Sequence, residues 1–169
     1  MSFLPSDYVA PTTSTGSYFK PTEAKTKIRI VSSPITGWID WNKSWEKPQP
    51  VRTKEKKTAL DPQKAPKHFW AMKVWNYEKE QLQIREVTQA SVRDQILAYN
   101  NDADWGDPKE YDISVAKTGK DLETKYTVLT TSSGKKALDE NIVEKVKTTK
   151  CVLEALFSWE DPFTADEVF

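Results

Sequence analysis

The sequence predicts a mainly β fold with helices: a small, partly open barrel of five strands, one helix between the third and fourth strands, and a second helix near the C-terminus. Three observations carry this. Short segments alternate apolar and polar residues; a single helical stripe (Val92, Ile96, Tyr99) interrupts them; and the spacing turns helical again after Lys135.

Residues 1–20 are rich in Ser, Thr and Pro, and read as a flexible N-terminal arm. Lys27-Ile28-Arg29-Ile30-Val31 alternates as a half-buried strand, with Lys27 and Arg29 on its open face. Ser33-Pro34 and Gly37 mark a turn. A second strand is expected from Trp38 to Trp45, broken by Pro48 and Pro50, and residues 53–66 read as a long exposed loop. His68 to Tyr77 is the clearest strand. One face offers Trp70, Met72 and Val74, and the other Phe69, Lys73, Trp75 and Tyr77. Leu82 to Val87 is its hairpin partner. Thr88 is the expected N-cap of the first helix. After a turn at Trp105-Gly106-Asp107-Pro108, Tyr111, Ile113 and Val115 alternate as one strand, and Tyr126 with Val128 as the last. Leu138, Ile142, Val146, Thr149, Leu153 and Leu156 then predict one helix within 134–157, before an acidic tail at 158–169. This order is that of an OB-fold, assigned to residues 21–133.

Composition narrows the function. No apolar run approaches the ~20 residues of a membrane-spanning helix, and the N-terminus lacks the basic start and apolar stretch of a secretory signal. One cysteine (Cys151) and one histidine (His68) allow neither an internal disulfide nor a Cys/His zinc site. The lone cysteine suits a reducing, cytoplasmic setting. No glycine-rich phosphate loop and no nucleophile–base pair is evident, so no catalytic residue, metal ligand or cofactor is assigned. The acids Asp102, Asp104 and Asp107 lack the glycine and closing glutamate of a calcium loop and read as a turn. A net charge of zero hides an asymmetry. All 25 Lys and Arg precede Cys151 while five of the 25 acids follow it, leaving residues 1–150 at +5 and 151–169 at −5. A basic body with an acidic end suggests a polyanion ligand and a tail that competes for the same surface.

Single-strand binders need a cationic groove for phosphates and exposed rings on which bases stack. Seven Trp, six Tyr and six Phe are available, many beside Lys or Arg. Trp41-x-Lys43-x-Trp45 and Phe69-x-x-x-Lys73-x-Trp75-x-Tyr77 place aromatic and cationic groups on one strand face. A face carrying lysine is a poor core face, since an unpaired buried ammonium is costly. Lys27, Arg29, Arg52, Lys54, Lys56, Lys67, Lys73 and Arg85 are therefore the candidate phosphate partners, and Trp41, Trp45, Phe69, Trp75 and Tyr77 the candidate stacking platforms. Trp38 and Trp70 are assigned to the core. Two alternatives stand: Trp75 and Tyr77 could pack under the C-terminal helix, and Trp41 and Trp45 beneath the basic loop.

Several blocks resemble a family of phage-encoded single-stranded DNA-binding proteins. They are Tyr18-Phe19-Lys20, Lys27-Ile28-Arg29-Ile30-Val31, Pro34-x-x-Gly37-Trp38, Pro50-Val51-Arg52, Lys67-His68-Phe69-Trp70-Ala71 and Val74-Trp75-Asn76-Tyr77. Ile84-Arg85-Glu86-Val87-Thr88-Gln89, Trp105-Gly106-Asp107-Pro108, Tyr111-Asp112-Ile113, Thr124-x-Tyr126-x-Val128, Leu153-Glu154-Ala155-Leu156-Phe157 and Asp161-Pro162-Phe163 continue the likeness in order. The resemblance implies a zinc-free OB-fold that coats single-stranded DNA in phage replication or recombination, in the host cytoplasm. Thr22-Glu23-Ala24-Lys25 departs from the glycine usual before the first strand, and the lysine loop at 53–66 is poorly shared. Glu160, Asp161, Phe163, Asp166, Glu167 and Phe169 form a tail expected to occupy the empty groove or dock on replication or recombination proteins. Two rival readings are a replisome adaptor with no primary DNA role, and a Mg²⁺-dependent nuclease using Asp104 and Asp107.

Overall fold

Seven antiparallel strands, not the five expected, make one open sheet in the computed structural model, which describes residues 17–42, 49–60 and 63–164. They are β1 (Thr26–Ile30), β2 (Ile35–Asn42), β3 (Gln49–Thr53), β4 (Lys67–Asn76), β5 (Gln81–Val87), β6 (Tyr111–Thr118) and β7 (Lys125–Lys135). β4 organises the sheet. Along one edge, its first half pairs with β2 (Thr36 opposite Trp70, Trp38 opposite His68) and its second half with β1 (Ile30 opposite Val74). Its other edge pairs with β5 from Trp70 to Asn76. β3 extends the sheet beyond β2, and β6 and β7 extend it beyond β1. The break between β1 and β2 is fastened to β4, where the Lys73 amide donates to Ser32 Oγ (2.9 Å) and the Val31 amide to the Lys73 carbonyl (2.9 Å).

The second strand departs from its expected bounds. It ends at Asn42 and returns as β3, so Pro50 sits within an edge strand opposite Trp41 instead of ending the region's structure. Proline is tolerated there because an edge strand leaves one side of its backbone unpaired. Gly37 is required by close approach, since a Cβ on it would lie 2.5 Å from the Thr53 carbonyl oxygen and 3.0 Å from the Phe69 and Phe157 rings.

Both faces of β4 are covered, which makes it a nearly continuous buried run. On one face Met72 and Val74 join Ile28, Ile30, Val87, Ile113, Val115 and Val128 in a first core, closed by Val92 and Ile96 of α1 (Ala90–Asn100). The α1 N-cap is Gln89, not Thr88, and no side chain caps the helix. Gln95 of α1 lies along the outer edge of β7: its Nε2 donates to the Tyr126 carbonyl (2.9 Å), and its Oε1 accepts from the Val128 amide (2.8 Å). A side-chain amide thereby satisfies edge groups that would otherwise invite another strand. Phe19 is buried in this core and Tyr18 bridges to Ile84, so the ordered body begins within the stretch expected to be a free arm.

On the opposite face Ile39, Phe69, Ala71, Trp75, Leu82 and Ile84 pack against Cys151, Leu153 and Leu156 in a second core. The covering segment is not the single helix expected over 134–157. It is α2 (Glu140–Thr148), capped by Asp139, then a break, then a 3-10 turn (Leu153–Phe157). Two threonines explain the break. Thr148 and Thr149 turn their hydroxyls back onto the carbonyls of Glu144 (2.9 Å) and Lys145 (2.6 Å), competing with the helix's own bonding. Residues 158–164 also lie on the body: Pro162 is buried, its carbonyl accepts from the Val152 amide (2.7 Å), and Phe163 packs on the second core. No helix among the described residues is long and apolar enough to cross a membrane.

Candidate nucleic-acid interface

The β2–β3 hairpin and the basic segment after it gather exposed aromatic and cationic groups. Along β2 the inward positions are Ile35, Gly37 and Ile39, so Thr36, Trp38 and Asp40 face the other way, beside His68 and Trp70 of β4. Trp38 and His68 lie in contact, ring centroids 5.1 Å apart and planes tilted by 53°. The Lys56 ammonium stands over the Trp38 ring, 5.1 Å from its centroid. Trp70, half-buried, completes the row. Lys54 reaches over Phe157 at 5.7 Å, and Trp41, on the other side of the hairpin, is 48% exposed. Lys57, Lys64 and Lys67 are exposed nearby in the chain.

Local hydrogen bonds fix this segment. Asp40 accepts from the Trp41 amide through Oδ1 and from the Leu60 amide through Oδ2, both at 2.8 Å, holding the end of the lysine-rich stretch on the hairpin. Thr53 Oγ1 donates to the Glu55 carbonyl (2.7 Å) at its beginning. Arg93 of α1 donates to the carbonyls of His68 and Thr88 (both 3.1 Å), setting the start of β4 against the helix. His68 Nδ1 is buried and has no hydrogen-bond partner.

Four of the expected contact residues are corrected, because their side chains are buried. Arg29 (1% exposed) donates through Nε to Asp112 Oδ1 (2.8 Å) and through its terminal nitrogens to the carbonyls of Lys109 (3.2 Å) and Lys136 (3.0 Å). It is an internal tie between strands, not a phosphate partner. Phe69 and Trp75 lie in the second core, under the C-terminal segment, with Lys145 5.9 Å from the Trp75 ring centroid. Arg85 points into the first core side and packs over Phe19; burial pulls its guanidinium down to about 10, still cationic at neutral pH. A lysine on a strand face thus marked a face that a later segment covers: Lys73 is half-buried there beside Phe69 and Trp75.

Three others are accessible but engaged elsewhere. Arg52 pairs with Glu86 (2.8 Å). Lys27 lies 4.4 Å over the Tyr77 ring at the far end of the sheet, and the Tyr77 hydroxyl donates to Asp112 Oδ1 (2.6 Å). Burial, with that hydrogen bond, pushes the Tyr77 phenol well above its ordinary range. Lys54, Lys56, Lys67 and Trp41 are the candidates that the fold brings to the hairpin region. Trp45, Asp166, Glu167 and Phe169 lie outside the described residues.

Trp38, His68 and Trp70 were not among the expected stacking residues. The signal was present: Thr36-x-Trp38-x-Asp40 flanks the indole with polar residues on its own face, whereas Ile35 and Ile39 alternate with it. On the covered face, a groove of about 1020 Å³ is bounded by Tyr18, Arg52, Trp75, Lys145, Trp159 and Phe163, with Glu80, Glu160 and Asp161 on its wall. Its mixed charge contrasts with the cationic hairpin. The aspartates of the 102–107 turn serve the backbone: Asp102 Oδ1 accepts from the Asp104 amide (2.7 Å) and Asp107 Oδ1 from the Lys109 amide (2.9 Å). No metal-holding cluster of His, Cys, Asp or Glu occurs among the described residues. No protein-family model, curated protein or solved structure matches the chain.

Proposed function

We propose that this chain binds single-stranded DNA stoichiometrically and without strong sequence preference, coating it during phage replication or recombination. The carrying observation is the hairpin cluster, in which Trp38 is packed on His68 and roofed by Lys56, with Lys54 and Lys67 exposed on the hairpin's other face and Lys57 exposed in the segment that follows. Rings offer a stacking surface to any base and the lysines neutralise phosphates, so affinity falls with salt and duplex, whose base faces are hidden, binds weakly. The connectivity supports an OB-type reading: β1, β4 and β5 run side by side, α1 separates β5 from β6, and β6 joins β1 to β7. A β5–β7 ladder, which would close such a barrel, is absent among the described residues, as a partly open one allows. The C-terminal segment lies with Arg52 and Trp75 in the groove of the covered face, away from Trp38, so the tail's part in this reading, competing with DNA and docking on a replication or recombination partner, rests on its acidity.

Tryptophan fluorescence titrated with a thymidine oligonucleotide, and with matched duplex, at low and high salt tests the proposal. Strong quenching by the single strand, weakened by salt and reduced in Trp38→Ala, is the expected result; ring removal costs about 1–3 kcal/mol of affinity at every salt concentration. Absence of quenching at low salt transfers the hairpin to the adaptor reading, in which its aromatic surface meets a protein.

A further inference from the structure

The half-buried Trp38 ring on the hairpin already carries a ligand of its own: the Lys56 ammonium, 5.1 Å from the ring centroid. His68 holds another side of the indole. No carboxylate among the described residues lies within ion-pair distance of Lys56. The backbone on either side of Lys56 is pinned, by Thr53 Oγ1 on the Glu55 carbonyl and by Asp40 Oδ2 on the Leu60 amide. The exposed four-carbon stem between these ties can swing.

We infer that Lys56 is an exchangeable cap on Trp38. A base stacks by displacing the ammonium, and the displaced ammonium, tethered within a few ångströms, neutralises the phosphate of the incoming nucleotide. This rests on the single-strand-binding reading and adds a positioning role within it. The magnitudes permit the exchange: an exposed cation–π contact favours the capped state roughly two- to fivefold. Stacking on an aromatic ring is worth roughly five- to 150-fold per base. Lys56 therefore acts with two signs, helping through the phosphate and hindering through the ring.

Opposed signs give a signature that an ordinary phosphate contact lacks. Removing one phosphate contact lowers the slope of log affinity against log salt by roughly 0.7 for a single strand, and the two lines then meet only near 1 M. If the same substitution also uncovers the ring, the lines cross far earlier, between roughly 0.1 and 0.4 M for a two- to fivefold cap. The experiment is a thymidine-oligonucleotide titration of the full chain and of Lys56→Ala across that salt range. The variant is expected to bind more weakly at 0.05 M and about two- to fivefold more tightly at 0.5 M than the salt slope alone allows. Lys56→Arg, whose planar guanidinium caps an indole more strongly, is expected to keep the wild-type slope with lower affinity throughout. A nucleic-acid-free readout accompanies these: acrylamide quenching of the free protein should rise in Lys56→Ala, and the rise should vanish in a Trp38→Phe background. Wild-type binding with lines that meet only near 1 M overturns the cap and leaves the function standing. No wild-type binding at all overturns both.

Discussion

Arg29 and Asp112 show how one buried ion pair decides what a basic residue does. Asp112 is fully buried, takes hydrogen bonds from Arg29 and Tyr77 on Oδ1, and has the Lys136 ammonium 3.3 Å from Oδ2. Burial alone would raise its carboxyl; the hydrogen bonds from Tyr77 and Arg29, with the Arg29 charge, outweigh it and hold the group below its ordinary range. A folded-state value below the unfolded one means a contribution that is present at neutral pH and lost as pH falls from about 4 through the folded value. Asp112→Asn leaves Arg29 buried without its counter-charge, which typically costs about 3–5 kcal/mol. Urea unfolding at pH 7 should show that loss, and the variant's stability should depend less on pH below about 4 than the wild type's. Equal urea midpoints for the two proteins at pH 7 would show that the pair contributes no net stability.

Among elements, the β strands and α1 were legible because one face of each repeats its apolar residues at the right period: Ile28 and Ile30, Met72 and Val74, Val92 and Ile96, Ile113 and Val115 all lie in the first core. The second core was legible only as the alternative in which Trp75 and Tyr77 pack under the C-terminal segment. Its sheet face mixes Phe69 and Trp75 with Lys73, a pattern that reads as a ligand surface until a segment some 80 residues later in the chain is laid over it. The β2–β3 hairpin escaped because Pro48 and Pro50 signal a break, whereas an edge strand accommodates the second. The candidate site suffered from the same confusion: sequence pattern tells which residues share a face, while long-range packing decides which face meets solvent. This also changes how the acidic tail is tested. Deleting residues 158–169 would remove buried Pro162 and strip Phe163 from the second core, so a chain ending at Thr164 is the cleaner variant. It loses Asp166 and Glu167 only among the acids, and single-strand affinity at low salt is expected to rise several-fold if those charges compete with DNA. Unchanged affinity in fluorescence titrations would exclude competition by these last five residues.

At the scale of the whole molecule, two cores back to back on one sheet make the fold depend on a seal, the segment from Thr149 to Thr164, which buries Cys151, Leu153 and Leu156. Burial raises the Cys151 thiol to about 11, with Lys73 opposing and the acids Asp161 and Glu154 of the same segment adding to the rise. The folded value lies above the unfolded value of 9.0, so the stability tied to the neutral thiol is whole below pH 9 and lost as pH climbs to about 11. The loss over that window is on the order of 2 kcal/mol. Because the thiol lies in the core that covers Trp75, unsealing should unite two events, a falling urea midpoint and a changing tryptophan emission. Cys151→Ala, studied beside the wild type under reducing conditions, should begin somewhat less stable at pH 7 because a small cavity replaces the sulfur. Its midpoint should then hold nearly level from pH 9 to 10. From pH 10 upward Tyr111, whose phenol burial raises to about 12, weakens the fold in both proteins, and the wild-type curve should stay the steeper of the two until about pH 11, beyond which they run together. A Cys151→Ala curve that falls as steeply as wild type between pH 9 and 10 would shift the alkaline sensitivity from the seal to the buried tyrosines.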